Sequence, residues 1–244
     1  MAALLAVISV SAQSVLPVWR TPPSHEVILQ HTGFTVSYNG NTLCPNWVAW
    51  ELTPEEASAD LTGRTDFFTT DPLVKGRQAQ YRDYSRNGKN LDRGHMAPSA
   101  DFKWSKEANA ETFYLTNICP QDHTLNEGLW LETEQRCRVW VKTLGTPADI
   151  VCGPVFGKTN ERIGESGVAV PLAFFKAVRM TVDGEPRAIV FLLPNAPIDP
   201  GRDLFEHVIT LKELTALTGL SPFPDATHRE DKSIRPWNTE FRKK

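Results

Sequence analysis

Short runs rich in apolar and β-forming positions stand at residues 27–30, 34–38 and 47–52. Such runs between polar, turn-forming positions predict strands. Tyr38-Asn39-Gly40-Asn41 supplies a turn signal between apolar stretches. Thr53-Pro54-Glu55-Glu56 opens a short helix, with Thr53 as cap and Pro54 at the first helical position. Residues 62–94 are long, polar and irregular, and a stretch of that length in a compact domain usually carries function. Further along, the pattern predicts a strand over 113–118 and the longest helix over 125–144. A buried strand over 149–152 ends at Gly153-Pro154, and strands over 174–182 and 187–193 join at an Asp183-Gly184 turn. A short helix over 211–217 ends near Gly219. Repeats, low-complexity blocks and linkers are absent. Strands and helices interleave irregularly, and several strand pairs look like hairpins. The pattern predicts an α+β fold with a largely antiparallel sheet, in one domain over residues 13–244.

Composition narrows the class. The chain has 244 residues, 41% of them hydrophobic and 23% charged. That excludes a disordered chain, a collagen-like repeat and a coiled coil. No run approaches 18 apolar residues, so the sequence predicts no membrane span. A net charge of −3 argues against coating nucleic acid through bulk charge, while leaving local phosphate contacts open. Residues 2–10 form a short apolar run, and Val10 and Ala12 fit a cleavage site before Gln13. On this reading residues 1–12 are a signal-peptide remnant and the protein is secreted or periplasmic. The run lacks a basic start, since the first basic residue is Arg20. A frayed apolar terminus is the plainer alternative. Four cysteines, Cys44, Cys119, Cys137 and Cys152, together with export predict two disulfides in one of three connectivities. Free core thiols rank below that, and zinc lower still because no CxxC pair is present.

Two segments carry candidate chemistry. In Asp92-Arg93-Gly94-His95-Met96-Ala97-Pro98 the histidine lies between glycine and proline, in a loop or at a strand end. A side chain so placed can be exposed, and the ordinary pKa range of histidine suits a general base near neutral pH. Its plain reading is a surface histidine held by Asp92. The second segment runs from Asn117 through Pro120-Gln121 to Asn126, Trp130, Glu134 and Arg138. The last four are spaced by four, which on a helix makes a stripe drifting about 40° per step. An amide, a carboxylate and a guanidinium on one side suit a hard cation and a phosphate. The plain reading makes Glu134 and Arg138 an i,i+4 ion pair on a solvated face and Trp130 core packing.

Together the two segments resemble the DNA/RNA non-specific endonucleases, the ββα-metal nucleases of the Serratia nuclease and endonuclease G type. Asn46-Trp-Val-Ala-Trp-Glu-Leu-Thr53, Arg64 with Asp71-Pro72, Cys152-Gly-Pro-Val-Phe156 and Pro171-Leu-Ala-Phe-Phe-Lys176 also look like family segments. The likeness covers about residues 30 to 225. It implies a ββα-metal core and hydrolysis of DNA and RNA to 5′-phosphate and 3′-hydroxyl ends. His95 is then the general base. Asn126 is the single protein ligand of one divalent ion, Mg²⁺ with Mn²⁺ as substitute, and Glu134 holds that ion's waters. Arg138 contacts the substrate phosphate, Asn117 supports the site, and Arg64 matches a transition-state arginine. Asp92 and Arg93 shape the motif, with Asp92 as support.

Elementary chemistry agrees with those roles. Phosphodiester hydrolysis needs an in-line water, charge neutralisation at phosphorus and a stabilised leaving oxygen. Mg²⁺ keeps most of its waters, so one neutral asparagine is a sufficient anchor. Lys75, Arg77, Arg82, Arg86 and Lys89 precede the histidine and are candidate backbone contacts, Arg82 and Lys89 foremost. The plain reading is a solvated loop. The partners expected are DNA and RNA, with a homodimer and an inhibitor protein allowed. The acidic balance motivates one alternative, a phosphodiesterase of the same fold acting on small nucleotides or other phosphodiesters. A non-catalytic nucleic-acid binder ranks last, because every motif position holds a competent residue.

Overall fold

A computed structural model describes residues 16–85, 90–199, 201–224, 228–232 and 237. Its centre is an eight-stranded sheet. Seven strands run in the order Val208–Ile209, Glu185–Pro194, Ala173–Val182, Ala148–Val155, Cys44–Leu52, Thr35–Asn39 and Glu26–Gln30, all antiparallel. Arg229–Glu230 adds parallel to Glu185–Pro194. Alternation along each strand builds two apolar layers. Val48, Trp50 and Leu52 face one side, while Trp47 and Ala49 face the other. The helix Leu211–Thr218 covers the second side with Leu211 and Leu214. It starts in a Thr210/Glu213 capping box and stops at Gly219, whose φ of 78° is left-handed.

The first side carries the unit that positions the site. Leu91–His95 pairs antiparallel with Ile118–Asp122, setting His95 opposite Ile118 and Asp92 opposite Gln121. Gly94 is required there, since an added Cβ would sit 2.6 Å from the Gln121 Cβ. A helical stretch follows directly. Asp122 caps it by accepting from the Thr124 and Leu125 amides. It runs as His123–Leu125, a π turn over Asn126–Trp130, and the helix Leu131–Leu144. The π turn contains Gly128 at φ −105°, ψ −113°, outside the helical region.

Several expected elements shift. The motif strand Leu91–His95 was read as part of a loop, because its charged residues give no apolar alternation. Of residues 113–118 only Ile118 is in a strand, the first residue of Ile118–Asp122, and a 3₁₀ turn at Leu115–Asn117 precedes it. Ala148–Val155 continues through Gly153-Pro154 as a strand. The disulfide expectation fails. All four cysteines are free and buried. Cys44 Sγ donates to the Ala169 carbonyl at 3.6 Å and Cys152 Sγ to the Met96 carbonyl at 3.3 Å. They pack as small apolar residues of the core. The proposed signal run lies outside the described residues. Among the described residues, no helix is long and apolar enough to cross a membrane.

Candidate active site

His95 ends the first strand of the pair. A histidine between glycine and proline can be exposed, but this one is only 8% exposed. Phe68 and Phe113, from segments distant in sequence, flank its ring at centroid distances of 5.4 and 4.9 Å. Its carbonyl accepts from Trp130 Nε1 at 3.0 Å, tying the strand to the helix. Its Nε2 has no hydrogen-bond partner among the described residues. Burial, then the nearby Arg64 and Arg93 guanidinium groups, pushes its pKa down to about 3. The imidazole is therefore neutral at physiological pH, the form that can accept a proton.

This neutrality carries a stability consequence. The folded pKa lies below the unfolded value of about 6.5, so the contribution is full above 6.5 and is lost as pH falls toward 3. Urea denaturation should show the wild type losing up to roughly 4 kcal/mol more than His95→Ala across that window. Parallel loss in both proteins would contradict the assignment.

Asn126 opens the π turn. Its Nδ2 donates to Asp92 Oδ2 at 2.9 Å. That bond fixes the amide and turns Oδ1, a hard oxygen donor, the other way. Asp92 Oδ2 is also 2.9 Å from His123 Nδ1, and His123 Nε2 is 3.5 Å from Glu127. The hydrogen bond to Asp92 raises the His123 pKa. Donor atoms of Asp92, His123 and Glu127 all lie within 4.8 Å of one another, a second group able to hold a cation. The sequence reading missed His123 and Glu127. Their i,i+4 spacing at the start of the helix was the available signal.

Glu134 and Arg138 do not pair on a solvated face. Arg138 donates to Asp101 Oδ1 at 2.7 Å, and Asp101 also accepts from Trp50 Nε1 at 3.2 Å. Glu134 is buried, with Lys176 Nζ 4.0 Å from its Oε1. Burial raises its pKa to about 7, against the opposing pull of Lys176, Arg138 and Arg64.

Other expected residues take varied places. Asn117 is fully buried and props the chain beyond His95. It accepts from the Ala97 amide at 2.9 Å and donates to the carbonyls of Ala97 and Thr112. Arg93 lies between the Phe68 and Tyr81 rings, 4.7 Å from each. Arg64 sits 4.9 Å from the Phe113 ring centroid, donates to Ser99 at 3.2 Å, and acts electrostatically on both His95 and Glu134. Arg82 reaches Glu165 at 3.3 Å, and Arg77 donates to the Ser166 carbonyl at 2.9 Å. No contact among the described residues ties either one to His95. Lys89 and Arg86 lie outside the described residues.

A strand pair carrying His95 at the end of its first strand, followed at once by a helical stretch carrying Asn126, defines the ββα-metal nuclease fold. A family model described as DNA/RNA non-specific endonuclease matches residues 17–228, and the chain belongs to that family. It is 34% identical over 222 residues to the mitochondrial nuclease EXOG of Xenopus laevis, covering 85% of this chain and 60% of that protein. It is 30% identical to mitochondrial endonuclease G of Homo sapiens, covering 80% of this chain and 69% of that protein. Identity to the mitochondrial nuclease of Saccharomyces cerevisiae is 35%, covering 77% and 62% of the two chains. The chain thus spans about three fifths of the EXOG relative's length. A crystal structure titled as the EndoG/EndoGI complex and its inhibition mechanism aligns with TM-score 0.76. Identity there is 26%, over 82% of this chain and 86% of that one. The mitochondrial names of these relatives overturn the expectation of a secreted or periplasmic protein.

Proposed function

We propose that this chain hydrolyses phosphodiester bonds of both DNA and RNA, as one endonuclease domain depending on a divalent ion, and leaves 5′-phosphate ends. The observation that carries the reading is His95. It is a buried, neutral imidazole whose Nε2 has no hydrogen-bond partner among the described residues, on the strand that pairs directly ahead of the Asn126 turn. A general base of phosphodiester hydrolysis needs that state, since Nε2 must be vacant to take the proton of the attacking water.

The donor set fits a hard cation. Asn126 Oδ1 is a neutral oxygen whose direction is fixed through Nδ2 and Asp92. One such ligand suits Mg²⁺, with Mn²⁺ as substitute. Bound there, the ion supplies charge neutralisation at the phosphate and stabilises the leaving oxygen. Glu134 accepts hydrogen bonds from waters of the site, Arg138 and Arg64 face the phosphate charge, and Asn117 and Arg93 keep the motif strand in place. Arg82 and Lys89 are backbone contacts further along the substrate. The inhibitor complex named for the structural neighbour supports an inhibitor protein as a further partner class.

Glu134 gives a pH test. It must be ionised to accept at both oxygens, and its pKa stands near 7. Turnover should therefore rise with pH through about 7. Because His95 loses its proton near 3, His95 does not set this limb. Glu134→Gln should give a lower and nearly flat profile over the same range. An unchanged limb in that variant would contradict the role of Glu134.

A further inference from the structure

Lys176 lies on the strand Ala173–Val182, on the same face as Phe174, Val178 and Met180. It is the only charged residue that this strand turns toward the helix Leu131–Leu144. Its side chain is 1% exposed. Its Nζ has no hydrogen-bond partner among the described residues and sits over the Trp130 ring, 4.2 Å from the centroid. Trp50 flanks it at 5.9 Å. Burying an ammonium costs free energy that only a good partner offsets, and a methionine would fill the same space without that cost. Stability alone does not account for this residue.

Its surroundings supply a reason. Glu134 Oε1 is 4.0 Å away. Arg138, the other close cation, is committed to Asp101 at 2.7 Å. Trp130, on which the ammonium rests, donates to the His95 carbonyl. One cation thus touches the group that holds the His95 strand and faces the Glu134 carboxylate. We infer that Lys176 is a positioning residue of the hydrolytic site, a fixed charge beneath it that orients Glu134. This inference rests on the nuclease reading above.

The test is a double-mutant cycle on the full chain, with Mg²⁺-supported plasmid digestion as the assay. Lys176→Met should lower kcat about ten- to a hundredfold, the usual range for groups that orient a metal site. KM for DNA should stay within about twofold, because the side chain meets no substrate. In the Glu134→Gln background the same substitution should cost less than about threefold further, because the charge acts through Glu134. Thermal melts of all four proteins check folding. If Lys176→Met alone does not fold, Glu134→Gln with Lys176→Met removes both buried charges and is compared with Glu134→Gln. A loss beyond about tenfold there would overturn the inference. Unchanged kcat in a folded Lys176→Met, a loss confined to KM, or equal losses in both backgrounds would also overturn it. Wild-type protein that digests nothing would sink the nuclease reading instead, so the two failures are distinguishable.

Discussion

His95→Ala should lose about a thousandfold in the rate of Mg²⁺-supported plasmid hydrolysis, within the range a positioned general base contributes. The size follows from where the imidazole stands. Phe68 and Phe113 wall the ring and hold it in one place. Asp92 is no ready substitute as the base, because it is occupied by Asn126 and His123. The truncation should not unfold the chain, since the strand keeps its backbone pairing and the Trp130 bond goes to the His95 carbonyl. Single-turnover rates on plasmid, with circular dichroism as the folding control, decide the matter. A folded variant retaining a tenth of wild-type turnover would remove His95 from the reaction.

Asn126→Ala should have a comparable effect by another route. The amide is the oxygen donor fixed by Asp92 at the mouth of the π turn. Removing it takes away the proposed protein ligand while leaving Asp92 bonded to His123. Turnover at saturating Mg²⁺ should fall at least about a hundredfold, and the Mg²⁺ concentration for half-maximal rate should rise, as expected for loss of a ligand. Titrating Mn²⁺ by calorimetry into protein stripped of metal reads the binding directly. Unchanged affinity with unchanged turnover would shift the ion to the group formed by Asp92, His123 and Glu127.

Much of the placement of the candidate site was legible because its residues stand at fixed spacings. Asn126 and Glu134 could be assigned to the helical stretch after the second strand, and His95 to a strand end, without any tertiary information. The Thr53 cap and the Asp183-Gly184 turn were equally local, with both turn residues at positive φ, 51° and 79°. What escaped the reading depends on contacts between distant segments. Burial of His95 comes from Phe68 and Phe113, and the Arg138 partner is Asp101, 37 positions away. The cysteines were misread because an even count and an apolar start describe a compartment, whereas the packing of Cys44 and Cys152 against backbone carbonyls describes a core. The irregular strand Leu91–His95 is specified by its partner strand and by Gly94 rather than by apolar alternation.

The most direct test of the account is digestion of supercoiled plasmid and of total RNA by the purified chain, in Mg²⁺ and in EDTA, with end-group analysis of the products. Loss of both substrates in Mg²⁺, none in EDTA, and 5′-phosphate ends are the expected results. Intact plasmid and RNA in Mg²⁺, with turnover only of a small bis-ester, would contradict it and assign the fold to small phosphodiesters instead.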